Sequence, residues 1–237
     1  MRVAVISDIH GNLPALEAVL ADMPEVDEVM CLGDLVGYGG NPRQCVEAVI
    51  EAGWPTLVGN HDRACTSPEI LEWFNADAAT VVRWTRDQLT EDQLTWLAAL
   101  PEQTTRNGVL LVHASPRDPI FEYILDLQTA TENLELLGTR VCFHGHSHIP
   151  GIFQYEEGRV YHDYRQATYH LRGPVLINPG SVGQPRDGDP AASYGIWDVD
   201  HETFTYRRVP YDVTSAQVAI LSAGLPERFA ARLQMGR

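Results

Sequence analysis

The hydrophobic positions of this chain follow two rhythms, and the change comes near residue 149. Before it, short apolar runs alternate with amphipathic stretches. Residues 2–7 (RVAVIS) are β-rich and apolar on both faces, as in a parallel strand covered on both sides. Leu13, Leu16, Val19, Leu20 and Met23 recur at helical spacing. Val26 to Leu32 predicts the next strand, completing a βαβ unit whose crossover should be right-handed. Pro42 to Ala52 predicts a second helix, capped by Asn41 and stopped by Gly53. Thr56 to Val58, Gly108 to Val112 and Val141 to Phe143 predict three more strands, with a helix near Thr129 to Leu137 before the last. Residues 66–105 turn helical instead, with starts at Ser67-Pro68-Glu69 and at Thr90, where Gln93 stands at the capping-box position. They predict a helical insertion lying over or beside the strand ends.

After Ile149 the runs become short and alternating: GIFQY, RVYHD, TYHL, PVLIN, SYGIWDV, TFTYRRV. Turns at Glu156-Glu157-Gly158 and Asp187-Gly188-Asp189 separate them. This half predicts a second, mostly antiparallel sheet, followed by one or two helices from Ser215 to Arg237. The class is α/β, read as a single domain over residues 1–237.

Composition narrows the function classes. The formal net charge is −15, so most of the surface would repel a nucleic-acid backbone, and a nucleic-acid polymer is not the expected partner. The four cysteines form no CxxC pair, and Cys31 and Cys142 lie within apolar runs, which predicts buried, reduced thiols. Met1-Arg2 leads directly into a strand without a leader pattern, and no apolar run approaches the roughly 18 residues that span a bilayer. A cytoplasmic location and no membrane association are expected.

Candidate chemistry lies in five polar clusters, each placed after an apolar run. They are Asp8-Ile9-His10, Gly33-Asp34, Gly59-Asn60-His61-Asp62, His113, and Gly145-His146-Ser147-His148. Singly, each has a bland explanation. An aspartate after a strand is usually a helix cap, a lone histidine usually packs in a core, and GNHD can be a turn. Together they bring carboxylates, imidazoles and a carboxamide to one end of a sheet, the ligand types that borderline divalent ions prefer. In an extended strand end, Asp8 and His10 would point the same way, as would His146 and His148. Asp34 has two oxygens with which to bridge two ions. Two cations about 3.5–4 Å apart can hold a bridging hydroxide and clamp phosphoryl oxygens, which is the chemistry of phosphate-ester hydrolysis. His61, beside a ligand and not needed as one, is the candidate general acid.

The order D-x-H, GD, GNH[DE], H, GHxH resembles that of the calcineurin-like metallophosphoesterases, in particular their small bacterial and archaeal phosphodiesterase group. The motifs cover residues 8–148, and the likeness extends through Asn178-Pro179-Gly180-Ser181-Val182. The resemblance implies a four-layer α/β/β/α sandwich of two facing mixed sheets. It implies that Asp8, His10 and His148 bind one metal, Asn60, His113 and His146 a second, and that Asp34 bridges them. His61 would be the catalytic acid or a phosphate contact. The implied ions are two of Mn, Fe, Zn, Ni or Co. The chain departs from the protein phosphatases of this superfamily, whose GD motif continues as GDxVDRG. Gly37 replaces the aspartate that orients the catalytic histidine, and Tyr38 replaces a phosphate-binding arginine. Asp62 is left as a candidate for the orienting role.

The phosphate contacts must come from elsewhere. Arg117 follows His113, Arg186 lies in a Gly- and Pro-rich loop, and Arg63 follows GNHD; each can grip a phosphate with a bidentate fork. Tyr38 and Tyr123 can line the pocket, and Trp73 or Trp84 can roof it. His144, His162, His170 and His201 are expected to be structural or superficial. The function expected is metal-dependent hydrolysis of phosphate esters, by a small-molecule phosphodiesterase or a dinucleoside-polyphosphate hydrolase. A phosphomonoesterase or nuclease is the alternative, and a non-catalytic scaffold of the same fold is least favoured because His61 is present.

Overall fold

The structure is a computed structural model that describes residues 1–165 and 167–237. The chain folds as β1 (Arg2–Ile6), α1 (Leu13–Asp22), β2 (Glu28–Cys31), α2 (Pro42–Ala52) and α3 (Asn60–Thr66). A 3-10 segment (Pro68–Trp73), α4 (Ala76–Gln88), α5 (Glu91–Ala98), β3 (Gln103–Arg106) and β4 (Val109–Val112) follow. Then come α6 (Leu127–Glu135), β5 (Val141–Phe143), β6 (Gly151–Glu156), β7 (Arg159–Asp163), β8 (Thr168–His170) and β9 (Val175–Asn178). The chain closes with β10 (Ala192–Asp198), β11 (Thr203–Val209), α7 (Val213–Ser222) and α8 (Glu227–Leu233). Among the described residues no helix is long and apolar enough to cross a membrane.

The strands form two mixed sheets, ordered β2-β1-β10-β11-β8 and β3-β4-β5-β9-β6-β7. Alternation along the strands explains the layers. In β1, Val3 and Val5 face inward with Val109, Leu111, Phe143, Ile177 and Phe204, forming one core between the sheets. Ala4 and Ile6 face outward onto Leu16 and Val19 of α1 and Val46 and Val49 of α2. On the far side, Val112, Cys142 and Leu176 pack against Ala130 and Leu134 of α6. The result is the expected α/β/β/α sandwich. Each fully buried Val, Leu, Ile or Phe stabilises it by roughly 1.5–3 kcal/mol.

The division of the chain between sheets differs from the rhythm of the sequence. The late strands do not make a sheet of their own. β10 pairs antiparallel with β1, matching Val3 to Trp197 and Val5 to Gly195. β9 pairs parallel with β5, matching Cys142 to Leu176. Hydrophobic patterning reports burial and says nothing about which neighbour a strand selects. The strand expected at Thr56–Val58 is reduced to a bridge between Cys31 and Thr56. The helical stretch within residues 66–105 ends at Ala98, and Gln103–Arg106 is a strand. All four cysteines are buried and free.

Candidate active site

Four of the polar clusters lie in loops where the two sheets meet, β1 and β2 belonging to one and β4 and β5 to the other, and Asn60-His61-Asp62 opens α3. They are not extended strand ends. Asp8, His10, Asp34, His146 and His148 have φ of 56°, 50°, 53°, 65° and 60°. Left-handed backbone costs an L-residue roughly 1–2 kcal/mol, and Asp, Asn and His tolerate it best. The side chains therefore converge through tight turns, not through the two-residue period of a strand. Hydrogen bonds brace these turns, with Asp8 N–H donating to Gly33 O at 3.0 Å and His10 N–H to Asp34 O at 2.9 Å. A Cβ at Gly59 would lie 2.0 Å from Asp34 Oδ1, so only glycine lets the start of α3 close on that carboxylate.

Two groups of side chains can each hold a cation. Asp8, His10, Asp34 and His148 form one, and Asp34, His113 and His146 the other, with donor atoms within 4.8 Å of one another in each. Asp34 belongs to both. Its Oδ1 accepts from His61 N–H at 2.9 Å. Its Oδ2 lies 3.5 Å from His10 Nε2 and 3.5 Å from His113 Nε2. Asp8 divides in the same way: Oδ2 accepts from His146 N–H, while Oδ1 has no hydrogen-bond partner among the described residues and lies 3.4 Å from His148 Nε2. Asn60 Oδ1 lies 3.2 Å from His113 Nε2.

The tautomers follow from what each ring faces. A carbonyl can only accept, so a ring nitrogen beside one carries the proton. His10 Nδ1 meets Val36 O, His113 Nδ1 meets Leu32 O, and His148 Nδ1 meets Gln184 O, at 2.9, 2.9 and 2.6 Å. The Nε2 atoms of His10 and His148 are thus lone pairs, whereas His113 Nε2 faces a second acceptor, Asn60 Oδ1, at 3.2 Å. In His146 the roles reverse, with Nε2 donating to Phe121 O at 3.1 Å and Nδ1 left as the lone pair. His10 Nε2 and His148 Nε2 face each other at 3.0 Å. Two lone pairs at that distance repel, and carboxylates at 3.4–3.8 Å supply no proton unless they are neutral. A cation between them resolves the conflict, and orienting carbonyls of this kind are the usual supports of metal-binding histidines. The donor set fits a borderline divalent ion.

Burial sets the charges here. It pushes the Asp8 carboxyl up to about 7. It raises Asp34 well above the usual carboxylate range, with the neighbouring Asp62 charge adding to the effect. It pulls His10, His61, His146 and His148 well below the usual imidazole range, so these rings are neutral.

His61 stands in the first turn of α3, its ring centroid 4.5 Å from that of Tyr38 and 5.0 Å from that of Phe74. Its Nδ1 is buried with no partner among the described residues. A Cβ at Gly37, where φ is 89°, would lie 2.4 Å from that nitrogen, so no orienting side chain fits there. This leaves Nε2 for the cleft that His61 lines. Asp62 does not orient the ring. Its carboxylate accepts from the N–H groups of Leu35, Val36 and Gly59 at 2.9, 3.2 and 3.0 Å, and so ties the Asp34 loop to α3.

Over these residues opens a cleft of about 520 Å³. Of the arginines considered for phosphate binding, Arg186 lines it, as does Tyr38. Arg117 does not: its Nε donates to Glu122 at 2.8 Å and its fork also pairs with Glu132 on the surface. Its place after His113 suggested the cleft, but the acids of 122 and 132 draw the side chain away. Arg63 likewise pairs with Glu102 at 2.7 Å. Trp73, Phe74, Phe121 and Tyr123 form the rim, and Tyr123 stacks on His146 with centroids 3.9 Å apart. Sequence reasoning missed Phe74, Phe121 and Asn75. None carries a motif, and the signal available was only their closeness to aromatic neighbours.

Residues 1–202 match the calcineurin-like phosphoesterase superfamily domain. The crystal structure of a metallophosphoesterase from Sphaerobacter thermophilus is 42% identical and superposes with a TM-score of 0.91, covering 100% of this chain and 99% of that one. An uncharacterized protein of Methanocaldococcus jannaschii is 40% identical over 248 residues, covering 99% of this chain and 98% of that protein. The phosphodiesterase YfcE of Escherichia coli strain K12 is 29% identical over 203 residues, covering 84% of this chain and 89% of that protein.

Proposed function

The chain belongs to the calcineurin-like phosphoesterase superfamily, and on that premise we propose that it hydrolyses small phosphate esters, diesters ahead of monoesters, at a centre of two divalent metal ions. The observation that carries this reading is the shared carboxylate, with Asp34 Oδ2 3.5 Å from a ring nitrogen of each ligand group. Asp8, His10 and His148 would hold one ion and Asn60, His113 and His146 the other, with Asp34 between them. Bound there, such ions supply activated water at neutral pH and positive charge for the phosphoryl oxygens.

The protein's own groups supply the rest. Arg186 places a guanidinium on the cleft wall, where a phosphoryl oxygen can accept from it. His61 presents Nε2 to the same space. Burial, and then the Arg186 charge, hold the ring neutral. A phosphate anion beside it opposes both effects, so substrate binding itself favours the imidazolium that hands a proton to the leaving alkoxide. Such a step contributes roughly 10²–10⁴-fold. The aromatic rim excludes water and suits a compact organic ester. The cleft volume and the net charge of −15 argue against a long polyanion. The name of the Escherichia coli relative favours diesters.

Turnover with added Mn²⁺ on p-nitrophenyl phosphate and bis-p-nitrophenyl phosphate tests the proposal. Preference for the diester is expected. Preference for the monoester overturns the diester assignment. No hydrolysis of either, with metal bound, overturns the esterase reading as a whole.

A further inference from the structure

Two guanidinium groups approach Tyr38, a residue of the cleft wall, and of the two Arg186 itself lines the cleft. Arg186 on the loop after β9 and Arg232 on α8 both approach Tyr38, with Cζ 5.7 and 5.6 Å from the ring centroid. Among the described residues neither reaches an aspartate or glutamate, whereas Arg63, Arg117, Arg207 and Arg228 all do. Arg186 Nε is buried and has no partner among the described residues, and its Nη2 donates to the neutral Gln184 Oε1 at 3.2 Å. Arg232 Nε donates to the main-chain oxygen of Arg237 at 2.7 Å. Both arginines are partly buried. Burial, and then the Arg186 charge, hold the Arg232 guanidinium below its usual range. In a chain with 32 acidic residues against 17 basic ones, two partly buried guanidinium groups without an aspartate or glutamate partner among the described residues call for an anion.

Position indicates which anion. Tyr38 lies 4.8 Å from the His10 ring, 4.5 Å from His61 and 5.0 Å from Phe229. Arg232 covers the Tyr38 and Phe229 rings, so it stands one aromatic ring away from the metal residues. That reach suits a phosphate next to the scissile one. Arg232 also lies outside the part of the chain that matches the superfamily domain. We propose that Arg186 and Arg232 form an anion subsite for a second phosphate, so that the preferred substrates carry the scissile phosphoryl group joined to another phosphate. This rests on the phosphoesterase reading, with α8 as an added specificity element.

The test uses Mn²⁺-loaded protein and two substrates that differ by one phosphate, a dinucleoside diphosphate and the matching dinucleoside monophosphate. The intact protein should prefer the diphosphate. R232Q should raise KM for the diphosphate roughly tenfold or more, with a smaller effect on the monophosphate and on kcat. R232K should recover part of the loss. An unchanged ratio between the substrates overturns the proposal. So does an equal loss on both that F229L reproduces, because Arg232 would then act through packing. If the intact protein hydrolyses neither dinucleotide nor bis-p-nitrophenyl phosphate, the esterase reading fails, and calorimetric titration with pyrophosphate decides the subsite alone. Weaker binding in R186Q and R232Q supports it, and unchanged binding overturns it.

Discussion

The floor and the rim of the cleft are built in opposite ways. On the floor, the side chains of Asp8, His10, Asp34, His113, His146 and His148 are at most 4% exposed. Each histidine has its second ring nitrogen against a main-chain carbonyl, and each aspartate has one oxygen held by a main-chain N–H. On the rim, Trp73 is 77% exposed, Tyr123 46% and Phe121 39%. Trp73 and Phe121 stack face to face, with centroids 6.4 Å apart. Directional bonds fix the atoms that would do chemistry, and non-directional surfaces remain where a substrate is to be selected. Floor substitutions should therefore abolish turnover, and rim substitutions should change selectivity.

The largest effect is expected from Asp34→Asn. Asparagine tolerates the same left-handed turn, but it removes the charge shared by both groups. Metal analysis should show fewer than two ions per chain, and turnover should fall by about 10³ or more, since metal-supplied charge stabilisation amounts to several kcal/mol. Two retained ions would break the contrast at its centre. His61→Asn should keep the metals and lower turnover on alkyl diesters by roughly 10²–10³. The loss on p-nitrophenyl esters should be smaller, since that leaving group scarcely needs a proton. Equal losses would remove His61 from the proton step.

The pH dependence follows from Asp8. Without metal, its carboxyl holds a proton up to about 7, against 3.8 for the unfolded chain. Between those values the folded state binds more protons, so this group's contribution to stability is complete below 3.8 and lost as pH rises to about 7. A bound cation takes the place of that proton. Metal affinity should thus fall about tenfold per pH unit below 7 for this one group, and calorimetry in buffers of different ionisation enthalpy should detect the released proton. The smallest effect belongs to the rim. Trp73→Ala should raise KM for aryl diesters two- to tenfold, from about 0.5–1.5 kcal/mol of lost stacking, and leave Tm unchanged because the ring is already exposed. A fall in kcat as large as that of His61→Asn would erase the distinction between floor and rim.

What the sequence made legible divides along the same line. The apolar runs located β1, β2, β4 and β5, because a strand buried on both faces needs consecutive apolar residues. The residues placed after them fall into the two groups that can each hold a cation, with Asn60 beside His113. Strand order stayed hidden, since β10 fits beside β1 through main-chain pairing that any β-rich run can offer. The left-handed turns at Asp8 and His148 also escaped, because aspartate and histidine carry no mark of φ. Arg117 misled for a related reason. Proximity in sequence to His113 cannot reveal that Glu122 and Glu132 close on it in space. Arg232 was invisible because the helix that carries it reaches Tyr38 only through tertiary packing.

The five left-handed positions, Asp8, His10, Asp34, His146 and His148, also limit how this centre can decay or be redesigned. Each imposes a backbone demand that is independent of its proposed ligand role. Val, Ile or Thr would meet both a lost donor and a forbidden torsion there, whereas Asn and Gly meet only the first. A descendant released from the reaction would therefore drift at these sites within a narrow alphabet. A designer wishing to silence the centre without unfolding it has the same short list, and alanine, the customary choice, is not the mildest on it.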